Sequence, residues 1–506
     1  MSLLGIDVGT TGCKACAFSV EGNLLASAYQ EYDILRRQHG WSEMDVPRVW
    51  EKIKATIRAV ASQTRKDPVR ALAVSSLGEA MVPVTHDRRI VGPSLLNNDI
   101  RGEEFLGHLS ARFDNARLYT INGNTLGNHY GLTKLLWLRA HQPQTFHSAD
   151  KFLLWGSFVP FMLGADPVVD YSLANRTLLF DIAQQKWSPE LLAGAGLEQA
   201  KLPDLAPSGT AIGHISTAAA EDLGLPRNVL LATGAHDQCA GALGCGAILP
   251  GRTMLGMGTY LCLVPVFTER QKPESMIPRG LNTEHHAVPG HFVTFIYNQG
   301  GVLFKWYRDT FAAAERDAAR KTGDDVYAPL LAEMPPGPST VTVLPHFTAT
   351  GPPDFITDSC GIITGLHLDT SRGDILKGIL EGAVFYLREC IQSLPPAIQV
   401  NEIRVVGGGA KSPQWIQLTA DILGCPLLRP TLTEAGALGA AIMAGVASRA
   451  YTTFTQGVQA SVRIQKSFEP APQLKAPYHQ RFAQYAQLWP HIKNYVNLPP
   501  HPQPPS

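Results

Sequence analysis

Charged residues are scarce in this sequence, and neither sign exceeds the other. Only 17% of the 506 residues are charged, with 43 Lys and Arg residues against 43 Asp and Glu residues, whereas a typical globular chain has about 25% charged residues. A net charge of zero provides no basic field to attract nucleic acid or an anionic lipid surface. We therefore expect no nucleic-acid partner and no membrane partner, and any bound anion must be held by a local group of residues.

Long hydrophobic runs are also missing. The most apolar stretch, residues 152–163, has about half of the roughly 20 residues that span a bilayer, and it predicts a buried helix. No basic segment followed by an apolar one precedes the first predicted strand, which begins at Leu3. We therefore expect a cytoplasmic protein.

The eight cysteines are scattered and lack the spacing of a zinc site. Cys13 and Cys16 form one Cys-x-x-Cys pair, but they lie in a predicted strand, where residues three apart point to opposite faces. No second pair completes a tetrahedral set of ligands. We expect these cysteines to be reduced and to serve packing.

Strand and helix signals alternate in both halves of the chain. Short apolar runs between turn residues predict an antiparallel meander over residues 3–8, 13–20 and 24–29. Asp45 and Pro47 predict the start of a helix, and a buried strand is expected at residues 71–75. The second half repeats the pattern, with a strand, a Gly-rich turn and a helix over residues 402–406, 407–409 and 412–424. The length and this alternation predict an α/β protein of two domains.

The first predicted hairpin contains the residue types that bind phosphate. Thr10 and Thr11 provide hydroxyl donors, Gly12 lets the backbone approach an anion closely, and Lys14 adds positive charge. Asp7, at the end of the strand, is placed to hold Mg²⁺ directly or through water. The sequence has no Walker motif, so this is not a P-loop. An ordinary hairpin turn remains the alternative.

Two further segments suggest phosphoryl-transfer chemistry. Asp237 follows a predicted strand, where a carboxylate in a cleft can accept the proton of an attacking hydroxyl; its alternative role is to cap the next helix. Gly258 and Thr259 form a second potential phosphate turn. Gly408 and Gly409 precede a capped helix and could pass under a nucleotide, although a plain tight turn is equally compatible.

These segments, in this order, resemble the FGGY family of carbohydrate kinases, which has an actin-like ATPase fold. The resemblance extends over nearly the whole chain to about residue 490. It is carried by the following motifs: DVGTTGCK (7–14), GWSEMDVPRVW (40–50), SLLNNDIR (94–101), YGLTKLLWLR (130–139), VVDYSLANRTLLFD (168–181), GAHDQCAGALGCG (234–246), LGMGTYL (255–261), NQGGVLFKWYRD (298–309), GIITGL (361–366), LEGAVFYLRE (380–389) and VVGGGAKSPQWIQLTADILGCPLLRP (405–430).

The resemblance implies two RNase H-like domains, of the actin and hexokinase type, with ATP and a sugar in the cleft between them. The first domain would comprise residues 1–245 and bind sugar and phosphate, and the second would comprise residues 246–490 and bind nucleotide. A Pro-rich tail, residues 491–506, is expected to be disordered. The sequence gives no oligomer signal of its own, although a homodimer is one expectation because relatives are often dimers.

The resemblance also implies roles for individual residues. Asp237 would be the catalytic base that deprotonates the sugar hydroxyl, and Asp7 would be the second catalytic carboxylate, on the side of Mg²⁺. The residues implied to bind ATP are Thr10, Thr11, Gly12, Lys14, Gly258, Thr259, Gly301, Lys305, Gly408 and Gly409. The residues implied to bind the sugar are Gly78, Glu79, Asp99, Asp237 and Gln238.

The choice of substrate should depend on the loop at residues 75–81. Xylulose kinases typically have Met-His and glycerol kinases Arg-Glu in this loop, where Gly78 and Glu79 stand here. A buried Glu79 would accept hydrogen bonds from a polyol, whereas a surface loop residue is the alternative. The wider motifs resemble those of xylulose kinases, which favours a ketopentose, xylulose first, over another ketose or a polyol.

Two other function classes remain open from the sequence. An actin-like ATPase could use nucleotide to change shape and bind protein, because a fold does not fix a function. A degenerate kinase could sense a sugar without phosphorylating it. A cluster of His285, His286 and His291 could bind metal, but it has no carboxylate or thiol partner, and a strand-edge cluster is favoured.

Overall fold

The computed structural model describes residues 1–357 and 359–496. The strands before residue 250 are β1 (Ser2–Val8), β2 (Gly12–Ser19), β3 (Leu24–Glu31), β4 (Ile34–Leu35), β5 (Glu43–Met44), β6 (Val69–Ser76), β7 (Met81–Val84), β8 (Ser94–Leu95), β9 (Lys151–Leu154), β10 (Val168–Asp170), β11 (Phe180–Asp181), β12 (Lys186–Trp187), β13 (Asp204–Ala206), β14 (Ala211–His214), β15 (Leu230–Ala232) and β16 (Ala235–His236). The helices in this part are α1 (Val46–Gln63), α2 (Leu106–Ser110), α3 (Asn115–Asn122), α4 (Gly131–His141), α5 (Pro143–Ser148), α6 (Trp155–Leu163), α7 (Tyr171–Asn175), α8 (Pro189–Ala195), α9 (Thr217–Leu223) and α10 (Asp237–Cys245).

The remaining strands and helices lie after residue 250. The strands are β17 (Gly251–Met257), β18 (Tyr260–Phe267), β19 (Glu284–His285), β20 (Phe292–Val293), β21 (Ile296–Gln299), β22 (Thr342–Leu344), β23 (Ile362–Thr364), β24 (Val400–Val406), β25 (Leu427–Pro430) and β26 (Ile464–Phe468). The helices are α11 (Pro273–Met276), α12 (Gly301–Phe311), α13 (Ala313–Thr322), α14 (Tyr327–Ala332), α15 (Arg372–Ser393), α16 (Pro413–Leu423), α17 (Ala435–Ala447), α18 (Phe454–Ser461), α19 (Lys475–Ala486) and α20 (Leu488–Val496). None of these helices is long and apolar enough to cross a membrane.

Two mixed sheets form the framework of the molecule, and they repeat one arrangement. The first has the order β14-β15-β6-β1-β2-β3, and the second contains β25-β24-β17-β18-β21. In each, an antiparallel meander is followed by two parallel strands across its first strand. The fold therefore consists of two similar α/β units, as the alternation of strand and helix signals predicted.

The local predictions for the first sheet are confirmed. The meander is β1, β2 and β3, and α1 begins after Asp45, whose carboxylate accepts a hydrogen bond from the backbone N–H of Arg48. Such a cap satisfies one of the unpaired N–H groups at a helix start. Cys13 and Cys16 lie in different buried clusters on opposite faces of β2, as a strand requires.

Two boundary predictions were wrong. Residues 152–154 belong to β9 and not to a helix, because their backbone pairs with β7; the helix starts only at Trp155. Residues 491–496 are helical because α20 continues to Val496, so they are not part of a disordered tail. The remainder of the predicted tail, residues 497–506, lies outside the described residues.

Helices α10 and α17 pack against each other between the two sheets at backbone distance. A Cβ at Gly244 would lie 1.9 Å from the carbonyl oxygen of Ala435, and one at Gly439 would lie 1.9 Å from that of Ala240. Gly5 of β1 is equally close to α17. Only glycine permits such an approach. Each of the two helices begins beside one of the predicted catalytic carboxylates.

Candidate active site

Asp237 is the first residue of α10 and lies where the two halves of the molecule meet. Its Oδ1 accepts a hydrogen bond from Nε2 of Gln238 at 3.2 Å and lies 3.4 Å from Nε2 of His236. Burial, with added repulsion from Asp7 and Glu79, raises the pKa of Asp237 to about 7. One third of the side chain is still accessible. A carboxyl with this pKa, open to a ligand, is suited to accept a proton.

The neighbouring imidazole does not neutralise this carboxyl. Burial and the charge of Arg176 hold the pKa of His236 well below its usual value, so the ring is neutral. The His236 backbone N–H donates to Oγ of Ser172, which fixes the position of the residue that precedes Asp237. The helix cap, which was the alternative role for Asp237, is at His236 instead.

Asp7 lies at the end of β1, next to the start of α17. Its Oδ1 accepts a hydrogen bond from Oγ of Ser75 at 2.6 Å, and the Cβ position of Gly436 is 3.0 Å from its carboxyl carbon. Burial raises the pKa of Asp7. A partly buried carboxylate of this kind gains from a nearby cation, so Asp7 and the exposed Thr10 fit a hydrated Mg²⁺ ion.

The hairpin between β1 and β2 exposes both of its threonines. The Gly9 N–H donates to the carbonyl of Gly12, which closes the turn and leaves Thr10 and Thr11 at its tip. Lys14 points elsewhere: it forms an ion pair with Glu434, the residue before α17. In this conformation the ammonium group is therefore shared with a carboxylate from the second half of the chain.

The second Gly-Thr turn, between β17 and β18, is joined to the start of α12. The N–H of Gly301 donates to the carbonyl of Gly258 at 2.9 Å, and the N–H of Gly300 donates to that of Thr259 at 3.1 Å. A Cβ at Gly301 would lie 2.5 Å from the Gly258 oxygen, so the contact requires glycine. Three residues predicted to bind ATP thus come together here: Gly258, Thr259 and Gly301.

The Gly-rich turn after β24 lies beside the same edge of the second sheet. Gly409 packs against Met257, the last residue of β17, while a Cβ at Gly408 would have no neighbour within 4 Å. That open face is available to a flat ligand. Lys305, on the exposed side of α12, is paired with Asp309 at 2.7 Å and is not drawn into the turn.

The loop at residues 75–81, which was predicted to determine the substrate, contacts Arg176, a residue that the sequence analysis did not single out. Arg176 donates from Nε to Oε1 of Glu79 at 2.7 Å and from Nη1 to Oε1 of Glu284 at 2.6 Å. Glu79 is buried, so it is not a surface loop residue. Gly78 lies against the same arginine, with its Cβ position 3.0 Å from Cγ of Arg176. The structure thus groups Gly78, Glu79 and Asp237 in one region.

Asp99 is a correction to the predicted sugar-binding residues. Its side chain is fully buried, and both oxygens are occupied by Arg101 and by the backbone N–H of Ser42. The guanidinium of Arg101 packs between the rings of Trp41 and Trp137. A carboxylate that is saturated and sealed in this way holds the fold and cannot contact a sugar in this conformation.

The histidine cluster is occupied by internal contacts. Nε2 of His285 lies 3.1 Å from the carbonyl of Ile182, and Nε2 of His286 lies 3.1 Å from that of Ala247. Within the described residues there is no group of three or more His, Cys, Asp or Glu side chains arranged to hold a metal ion. His285 and His286 belong to the core around β19, whereas His291 is only partly buried.

Arg176, Glu284 and Glu434 are the functional candidates that sequence reasoning missed. The Arg176–Glu284 pair joins residues 108 apart, and the Lys14–Glu434 pair joins residues 420 apart. The one available signal was Arg176 itself, a charge within the apolar segment LANRTLLF. Glu434 lies in a loop that carries no such signal.

Comparisons with known proteins agree with this arrangement. The N-terminal domain of the FGGY family of carbohydrate kinases matches residues 2–244, and the C-terminal domain matches residues 256–448. A xylulose kinase from Bacillus subtilis is 25% identical over 499 residues, with 97% of each chain covered. An autoinducer-2 kinase from Salmonella typhimurium is 28% identical over 503 residues, with 94% of this chain and 92% of the relative covered.

A solved structure shows the same fold over the whole length. The crystal structure described as that of a xyloylose kinase from Brucella ovis superimposes with a TM-score of 0.86 at 25% identity and covers 98% of this chain and 100% of the other. Both domain matches occur in the expected order, with the candidate catalytic carboxylates at the helices between the sheets. The chain therefore belongs to the FGGY family of carbohydrate kinases, which transfer a phosphoryl group to an alcohol acceptor.

Proposed function

We propose that this carbohydrate kinase transfers the γ-phosphoryl group of Mg-ATP to a hydroxyl of a ketopentose, D-xylulose first. The observation that carries the proposal is the open carboxyl of Asp237, with a pKa of about 7, beside Asp7 and Glu79. Such a group is half ionised near neutral pH and is therefore a stronger base than an ordinary aspartate. The family implies that ATP is the phosphoryl donor.

In this mechanism Asp237 accepts the proton of the attacking hydroxyl as the oxygen approaches the γ-phosphorus. His236 stays neutral and does not compete for that proton, because its pKa is far below its usual value. Gln238 holds Oδ1 of Asp237 through its amide, which leaves Oδ2 for the substrate. The bond between the γ-phosphorus and ADP breaks as the new bond to the hydroxyl oxygen forms, and the proton stays on Asp237 until it is released to solvent after the products depart.

The phosphate side depends on positioning and charge. The hydroxyls of Thr10 and Thr11 and the turn at Gly258 and Thr259 are exposed and would contact the phosphoryl oxygens. Asp7 would hold Mg²⁺, which when bound supplies positive charge to the phosphate oxygens. Transfer to sugar rather than water requires that the two halves close and exclude solvent.

The proposed acceptor follows from the relatives and from the loop at Glu79. A relative named xylulose kinase aligns over nearly all of the chain. A buried carboxylate beside the base would accept hydrogen bonds from the hydroxyls of a ketose or polyol. The alternative of a non-kinase actin-like ATPase has no such support.

A second candidate acceptor is autoinducer-2, which the names of several relatives give as their substrate. Relatives with that name are 27–28% identical to this chain, compared with 22–25% for two xylulose kinases. Gly78 and Glu79 also replace the Met-His pair that is typical of xylulose kinases. Both candidates leave the phosphoryl chemistry unchanged and differ only in what contacts Glu79.

The test is a coupled assay of ADP formation with D-xylulose, L-xylulose, D-ribulose, xylitol, glycerol, gluconate and autoinducer-2. We expect the highest kcat/KM with D-xylulose and a phosphorylated product by mass spectrometry. Asp237→Asn should lower kcat by about 10²–10⁴-fold. The matched control is Asp166→Asn, which changes an exposed carboxylate in the loop between α6 and β10. If another acceptor gives a higher kcat/KM than D-xylulose, that acceptor replaces xylulose as the proposed substrate. If Asp237→Asn retains the wild-type kcat, the proposed mechanism is wrong.

A further inference from the structure

A buried ion network lies beside Asp237, and the proposed function uses only one of its members, Glu79. Arg176 donates from Nε and Nη2 to Oε1 of Glu79, and from Nη1 to Oε1 of Glu284. The exposed fraction of the side chain is 9% for Arg176, 6% for Glu79 and 1% for Glu284. Asn282 adds a hydrogen bond to Oε1 of Glu284 at 3.0 Å. Because buried charges are costly unless paired, this many buried charges in one place suggest a function.

The backbone at Glu79 is held in an uncommon conformation. Its φ is +58°, in the left-handed region that residues other than glycine rarely adopt. A side chain at Gly78 would be crowded, since a Cβ there would lie 3.0 Å from Cγ of Arg176 and 3.0 Å from Cδ2 of His236. Such strain persists where the surroundings fix it, and at functional sites it serves to aim a side chain.

The geometry leaves one oxygen of Glu79 for a ligand. Both bonds from Arg176 go to Oε1, so Oε2 remains for another donor. An ionised carboxylate accepts hydrogen bonds and donates none, so the partner must carry a hydroxyl or an N–H group. Arg176 is itself held from the other side, by Glu284 and by the rings of Tyr130 and Phe295.

We propose that Arg176 is a positioning residue that, anchored by Glu284, aims Oε2 of Glu79 at a hydroxyl of the acceptor. The resulting site selects an uncharged polyhydroxylated acceptor and rejects one with a carboxylate at that place. The inference rests on the proposed function, because it assumes that the acceptor binds beside Asp237. It goes further by assigning acceptor selection to a network built from both halves of the chain.

Rejection of a carboxylate follows from the charges around the site. Asp7, Glu79 and Asp237 are close enough for Asp7 and Glu79 to raise the pKa of Asp237. The guanidinium of Arg176 is already paired with two glutamates and has no free face for a further anion. A ligand carboxylate next to Glu79 would therefore meet like charge without a compensating cation.

The experiment measures binding and turnover separately. Dissociation constants for D-xylulose, xylitol and the five-carbon aldonate xylonate are measured by calorimetry for the wild type and for Glu79→Gln, Arg176→Lys and Glu284→Gln, together with KM for sugar and for ATP. Glu284→Gln keeps an amide oxygen that can accept from Arg176, so it preserves packing. The matched control is Arg404→Lys, a buried arginine paired with Glu402 away from the site.

We expect the wild type to bind an uncharged acceptor at least tenfold more tightly than xylonate. Arg176→Lys should weaken binding of the uncharged acceptor by at least tenfold and Glu284→Gln by about threefold to tenfold, with KM for ATP changed by less than twofold. Glu79→Gln should remove most of the selectivity against xylonate. The double variant Glu79→Gln with Arg176→Lys should be no weaker than Glu79→Gln alone, because Arg176 acts through Glu79.

Several results would overturn the inference. The first is that the effects of Glu79→Gln and Arg176→Lys multiply in the double variant. The second is that the wild type binds xylonate as tightly as xylitol, and the third is that Arg404→Lys loses the same selectivity. The fourth is that no acceptor binds. Failure of the proposed function has a different signature. In that case no acceptor yields a phosphorylated product, while selective binding still depends on Glu79 and Arg176.

Discussion

Replacing Asp237 by Asn should stabilise the protein while it removes catalysis. The ordinary pKa of an aspartate is near 3.8, and in this protein burial raises the pKa of Asp237 to about 7. The difference of about three pH units corresponds to a ceiling of roughly 4 kcal/mol. Because one third of the side chain is accessible, solvent screening reduces this, and we expect a gain of about 1–2 kcal/mol at pH 8.

The sign of the pH dependence follows from proton uptake. Between pH 4 and pH 7 the folded protein keeps a proton on Asp237 that the unfolded chain has lost, so wild-type stability falls as pH rises through this range. Asparagine has no such proton. The difference in the free energy of unfolding between the variant and the wild type should therefore be largest above pH 7 and should disappear toward pH 4.

The assay is chemical denaturation of both proteins at pH 8 and pH 5, with loss of turnover measured on the same preparations. The gain should be larger at pH 8, and kcat should fall by about 10²–10⁴-fold. A variant that is less stable than the wild type at pH 8, or a gain that is independent of pH, would refute the claim that a costly buried charge has been retained for catalysis.

Three other outcomes follow from the structure. The pH profile of kcat/KM for sugar should rise with an apparent pKa near 7, set by Asp237 in the free enzyme, and a profile that is flat between pH 6 and pH 8 would assign the base elsewhere. Glu434→Gln should lower KM for ATP by about threefold to tenfold, because it releases Lys14 toward the phosphates; an unchanged KM at low and high salt would show that the ion pair does not compete with nucleotide. Gly439→Ala should destabilise the protein by about 1–3 kcal/mol in denaturant titrations because its Cβ overlaps the backbone of the neighbouring helix, whereas Gly107→Ala, which has open space, should not.

Much of the fold could be predicted because its signals are local. The apolar runs of β1 to β3 and the capping carboxylate of Asp45 act within a few residues, and both predictions hold. Residues 152–154 were predicted wrongly because an apolar run alone does not distinguish a buried strand from a buried helix. Pairing with β7, a segment about 70 residues earlier, decides the conformation.

In the candidate site, too, local features could be predicted from the sequence and those that depend on distant partners could not. The Gly-Thr turns and Asp237 could be found because each lies in a recognisable short segment of the sequence. Asp99 was assigned to the sugar from its motif, but whether a carboxylate is free or saturated depends on partners such as Arg101 and Ser42 that a motif does not reveal. Lys14 was assigned to phosphate without knowledge of Glu434 for the same reason.

The close crossing of α10 and α17 has a consequence for motion. Asp237 opens one helix, and Asp7 touches the first turn of the other through Gly436. When two bodies rotate about a common joint, the points nearest the axis move least. If the halves turn about this glycine-lined crossing, parts of the molecule far from it move most, while the spacing of the two carboxylates stays almost constant. The enzyme could then open to admit ligands without disassembling its catalytic centre.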